Sequence, residues 1–146
     1  MNINNIQFFS EETDFKPKRK TVLRHWIVKT IQSENFEVLG PLNLIFCTDA
    51  YLLNINQQYL NHDTYTDIIT FDNSEGIAKK ISGDIFISVT RVAENAEKYK
   101  ISFETELHRV MIHGVLHLCG YPDKSNQQKS VMSSKEDYYL SLLTTL

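Results

Sequence analysis

The run HGVLHLCGYPD at residues 113–123 constrains this chain more than any other segment. His113 and His117 stand four positions apart, which on a helix sets them about 40° apart around the axis and about 6 Å along it. Two imidazoles then share one face and can share one metal ion. Gly120 offers the helix a stop, because glycine adopts the left-handed conformation that closes a helix C-terminus. Tyr121 and Pro122 carry the chain around, and Asp123 can return a carboxylate to the same point. The expected ligands His113, His117 and Asp123 suit one zinc ion, with usual distances of about 2.0–2.1 Å to nitrogen and about 2.0–2.2 Å to oxygen. Three protein ligands leave a fourth position open, as in catalytic rather than structural zinc sites. A histidine pair at this spacing is, alone, more often packing; the glycine and carboxylate that follow it favour a metal.

The same run excludes one chemistry. Zinc peptidases with H-E-x-x-H need the glutamate after the first histidine as general base. Gly114 occupies that position and cannot accept a proton, so a peptide hydrolase is not expected.

A length of 146 residues is that of one domain with one good core, and the expectation is a single domain over 1–146. No stretch approaches the roughly 20 apolar residues of a membrane span. The N-terminal MNINNIQFFSEETDF lacks the pattern of a secretory signal, and Cys47 and Cys119 form no C-x-x-C pair. Reduced thiols in a cytoplasm are therefore expected. A net charge of −3 argues against general, charge-driven nucleic-acid binding. Six of the fifteen basic residues nevertheless fall between Lys16 and Lys29. A solvated face explains them better than a phosphate-binding patch.

Residues 3–9 have a strand's composition. Pro17 can open a helix, and Val22, Leu23, Trp26, Ile27 and Ile31 recur at helical spacing over about 17–34. Leu42 to Thr48 reads as a buried strand, and Asp49 as the N-cap of a helix through about Leu60. Asn61 to Tyr65 reads as a loop. Residues 67–72 and 80–88 read as strands forming a hairpin-like pair, and helices are expected at about 89–100, 103–119 and 127–144. Helices and strands mix without regular βαβ alternation, so the expected class is α+β: a small mixed sheet packed with about five helices.

These residues also carry a resemblance. HGVLHLCGYPD resembles the H-G-x-L-H-L-x-G-Y-D-H signature of the bacterial YbeY proteins. LLNINQQYL (52–60) followed by TDIITF (66–71) resembles the family's L-N…Y-R…T-D-V-L-S-F segment, and SGDIFIS (82–88) its G-D-I-x-I-S strand. Met132 and Glu136 stand where the family has a Met and a Glu in its last helix. The blocks keep the family's order from about residue 40 to 140. The resemblance implies an α+β fold with the metal site on a helix and the following turn. It further implies a zinc-dependent endoribonuclease of single-stranded RNA, acting in the cytoplasm in 16S rRNA 3′-end maturation and ribosome quality control, with rRNA and the ribosome as partners.

Three departures from the family pattern stand out. Asp123 replaces the third histidine, which makes a bound ion less positive and its water less acidic. Pro122 replaces the preceding acid. Leu60 falls where the family has an arginine, and His62, Arg109 and Lys124 are candidates, by sequence proximity only, to take its place. Single strands are held by aromatic stacking and a basic groove. Candidate RNA contacts are Tyr59, Tyr121, Arg109 and Lys124, with Tyr65 a further stacking candidate; packing explains each tyrosine equally well. Asp67 and Asp84 could orient metal ligands, or serve only as hydrogen-bond partners at strand ends. Attack by water and attack by the RNA's own 2′-OH both stay open, as only the second must leave a cyclic phosphate. Two rival functions also remain: a non-catalytic ribosome-associated factor with a structural metal, and a metal-dependent hydrolase of another substrate.

Overall fold

The computed structural model describes residues 1–62 and 65–146, so two residues of the expected 61–65 loop lie outside the described part. The chain opens on a 3-10 turn at Ile3–Asn5, then strand β1 (Ile6–Glu11), helix α1 (Lys20–Ser33), β2 (Val38–Cys47) and α2 (Asp49–Leu60). Strands β3 (Ile68–Asp72) and β4 (Lys80–Ser88) follow, then α3 (Val89–Tyr99), α4 (Phe103–Leu118) and α5 (Asn126–Leu143). The four strands form one mixed sheet in the order β1-β2-β4-β3. β1 and β4 each run parallel to β2, and β3 pairs antiparallel with β4, opposite residues running from Ile68 with Ile87 to Asp72 with Gly83. The α+β class with five helices is as expected.

Alternation of side chains splits the sheet into two faces. Ile6, Leu42, Leu44, Phe46, Ile81, Ile85 and Ile87 point to one face and pack with Leu23, Trp26 and Ile27 of α1, Met111 and Val115 of α4, and Met132 and Tyr139 of α5. Each fully buried side chain of this size contributes about 1.5–3 kcal/mol relative to exposure. The other face carries Cys47, Ile69, Phe71 and Phe86 against Tyr51, Leu52 and Ile55 of α2. Both cysteines are free, and burial raises each thiol to about 12, so neither is a nucleophile at neutral pH.

Several boundaries differ from the sequence reading for identifiable reasons. The 3-10 turn delays β1, because Asn2 caps it by accepting from the Asn4 backbone N–H. α1 begins at Lys20 rather than Pro17, with Arg19 at its N-cap in the left-handed conformation (φ 58°). β2 starts earlier, at Val38, and passes Gly40-Pro41 through a shift in register. Thr48, not Asp49, is the N-cap of α2, its hydroxyl accepting from the Tyr51 N–H at 3.2 Å. Asp49 is instead bound to Arg91 at 2.7 Å. No helix among the described residues is long and apolar enough to cross a membrane.

Candidate metal centre

Helix α4 is capped by Ser102, whose hydroxyl accepts from the Thr105 N–H, and it ends in a Schellman motif. Gly120 (φ 105°) donates its N–H to the His117 carbonyl at 2.9 Å, and Tyr121 to the Leu116 carbonyl at 3.1 Å. That closure turns the chain so that Asp123 comes back beside the histidines. Gly114 explains how closely α4 lies on the sheet. A Cβ there would stand 2.8 Å from side-chain carbons of both Ile68 and Ile85. A carboxylate at 114 would be pressed into β3 and β4, which agrees with the absence of a peptidase base.

The geometry around the histidines fits a metal ion. His117 Nδ1 lies 2.8 Å from the Tyr121 carbonyl oxygen. That oxygen can only accept, so Nδ1 carries the proton and Nε2 presents its lone pair. His113 Nδ1 is bound in the same sense to Glu136 Oε2 at 2.6 Å. Both Nε2 atoms then face Asp123 Oδ2, at 3.2 Å and 3.4 Å. A tetrahedral ion with bonds of about 2.0–2.1 Å holds its ligand atoms about 3.3–3.4 Å apart. Donor atoms of His113, His117 and Asp123 all lie within 4.8 Å of one another, so this cluster could hold a metal ion. Three lone-pair donors this close repel unless a cation lies between them.

The cluster stands in an open cleft of about 720 Å³ between α4, α5, the start of β3 and the end of α2. Glu136, buried on α5, also accepts from Arg109 at 2.9 Å, and Arg109 reaches on to Asp137 at 2.7 Å. Burial opposes a charge on His113, but the hydrogen bond and charge of Glu136, aided by Asp123, prevail and raise its pKa. Burial pushes the Asp67 carboxyl above the ordinary range, against the pull of His113. Glu106 is raised by burial and by the charge of Asp67, with Arg109 opposing.

The other residues singled out from sequence divide. Asp67 and Arg109 line the cleft, and so do Leu60 and His62. Asp84 does not. It projects from the opposite face of the sheet, where its two oxygens accept from Asn43 at 2.9 Å and Asn73 at 3.3 Å. Tyr59 is exposed outside the cleft, edge-on to Phe71 at 6.0 Å. Tyr65 is also exposed, with the Arg91 guanidinium 5.3 Å from its ring centre. Tyr121 is committed: its hydroxyl donates to Glu34 at 2.5 Å, and the Lys135 ammonium lies 5.3 Å from its ring centre. Lys124 is exposed and lies outside the cleft lining, its backbone N–H donating to Gln128 at 3.0 Å. Glu136 was recognised only as a motif match, and Glu106 and Lys129 carried no sequence signal, yet all three line the cleft.

A family model described as Endoribonuclease YbeY matches residues 5–144. The chain belongs to the YbeY family. A relative from Flavobacterium psychrophilum named Endoribonuclease YbeY is 55% identical over 134 residues, covering 92% of this chain and 94% of its own. One of the same name from Cytophaga hutchinsonii is 49% identical, covering 94% of each. The solution structure of TM1509 from Thermotoga maritima superimposes with a TM-score of 0.65 at 27% identity, covering 94% of this chain and 88% of that one. Within the YbeY frame, the departures at Leu60 and Asp123 both line the cleft.

Proposed function

We propose that this protein is a zinc-dependent endoribonuclease specific for single-stranded RNA, acting in the cytoplasm in 16S rRNA 3′-end maturation and ribosome quality control. The observation that carries the reading is the convergence of His113 Nε2, His117 Nε2 and an Asp123 oxygen in an open cleft, in a chain of the YbeY family. Relatives at 55% and 49% identity bear the endoribonuclease name. Zinc bound by these three side chains would supply Lewis acidity toward a phosphate oxygen and toward water. The chain's own groups do the rest. Glu136 and the Tyr121 carbonyl hold the two imidazoles in the ligating tautomer. Asp67, partly buried beside His113, is poised to accept or return a proton on that side of the cleft.

The test is cleavage of an end-labelled RNA, offered single-stranded and annealed to its complement, with zinc or with chelator. Cutting confined to the single strand and abolished by chelator is expected. Cleavage that persists in chelator contradicts the metal's role, and equal cutting of the duplex contradicts single-strand specificity.

A second reading, a non-catalytic ribosome-associated factor with a structural metal, draws on one feature. The cleft carries four carboxylates, Asp67, Glu106, Asp123 and Glu136, and an aliphatic Leu60 on its wall. Zinc that raises the melting temperature of a protein unable to cut RNA would favour it.

A further inference from the structure

A polyanion entering this cleft meets the four carboxylates, so it needs positive charge beyond the metal. Among the described residues the cleft is lined by two permanent cations, Arg109 and Lys129. Arg109 is already spent, its guanidinium shared between Glu136 at 2.9 Å and Asp137 at 2.7 Å. Lys129 is exposed and makes no ion pair among the described residues. It stands at the fourth position of α5, whose start is fixed by a capping box between Ser125 and Gln128. Met132, Ser133 and Glu136 follow at three, four and seven positions, so all four share the helix face that lines the cleft. Glu136 is the residue that holds His113. Two turns separate it from Lys129, about 10 Å along the axis. Lys129 lines the same cleft as His113, His117 and Asp123, so its ammonium can serve a phosphate beside the one at the metal centre.

We propose that Lys129 anchors a backbone phosphate of the RNA flanking the scissile one, so fixing the register of the strand across the metal centre. The inference rests on the nuclease reading above and adds a named contact to it. Lys129 is a point-charge contact and reads no sequence. Its removal therefore weakens binding of all sequences alike and raises KM, with little change in kcat.

The test uses the zinc-loaded full chain and a short 2′-O-methyl single-stranded RNA followed by fluorescence anisotropy across a salt series. Wild type is compared with Lys129→Ala, Lys129→Arg and, as a one-charge control, Lys98→Ala on α3, which lines no described cavity. Lys129→Ala is expected to bind several-fold more weakly, with the slope of log K against log salt shallower by about 0.7. Lys129→Arg is expected to restore both, and Lys98→Ala to match wild type. Because Lys129 is exposed, thermal melts of Lys129→Ala should overlay wild type. Equal affinity and slope in wild type and Lys129→Ala overturn this inference alone, as does an equal loss in Lys98→Ala. Failure of wild type to bind the RNA at all overturns the nuclease reading with it.

Discussion

At the scale of single residues, the candidate site depends on groups outside the three donors His113, His117 and Asp123. Glu136 accepts the hydrogen bond from the His113 Nδ1–H and so leaves Nε2 free to ligate. Replacing it by Gln removes a charged acceptor while keeping the volume. Glu136→Gln is expected to weaken zinc binding by about 10- to 100-fold, read by competition with a chromophoric chelator. Unchanged affinity would mean that packing alone orients the ring. Gly114 makes a different demand. Its missing side chain lets α4 settle against Ile68 and Ile85, so Gly114→Ala is expected to lower stability by about 1–3 kcal/mol, read by denaturant unfolding. The histidine pair, Gly120 and Asp123 could be found in the sequence because they interact over one or two turns. Glu136 could not be given its role, because it reaches His113 from 23 positions away through the packing of α4 on α5. Of the two roles open to Asp84, the structure shows the hydrogen-bonding one; residue alternation assigns it to a sheet face, but only the helices on each face decide which one meets the cleft.

At the scale of elements, Glu34 links three of them. It follows the last turn of α1, and its carboxylate accepts from Tyr121 at 2.5 Å, from the Tyr139 hydroxyl and from Lys135 at 3.1 Å. Tyr121 supplies the carbonyl that orients His117, so the end of α1 braces the turn that carries the site. Burial raises the Glu34 pKa, but the hydrogen bonds from Tyr121, Tyr139 and Lys135 outweigh it, and the carboxyl is held below its ordinary value. A depressed carboxylate contributes stability that is present above its unfolded pKa of about 4.3 and is lost as pH falls through the folded one. Melting temperature is therefore expected to drop below about pH 4.3, and Glu34→Gln to be less stable at pH 7 with a shallower acid loss. Parallel pH profiles for the two proteins would contradict this. The helix spacing of α1 was readable from Leu23, Trp26, Ile27 and Ile31, all buried in the core. Its end contact with Tyr121, 87 positions along the chain, was not.

At the scale of the molecule, a mixed sheet with helices on both faces holds α4 and α5 so that one cleft gathers residues from α2, β3, α4 and α5. The class of fold was legible because the strand runs and amphipathic helices are strongly patterned. The cleft was not, since its walls meet only after the sheet order β1-β2-β4-β3 is set. The central claim is that His113, His117 and Asp123 hold one zinc ion on which RNA cleavage depends. It is tested most directly by measuring zinc content and single-strand RNA cleavage on the same preparations of wild type, His117→Ala and Asp123→Ala, each verified as folded by circular dichroism. One zinc per wild-type chain, with metal and cleavage lost together in both variants, is the expected result. Cleavage undiminished in variants that hold no zinc would contradict the account.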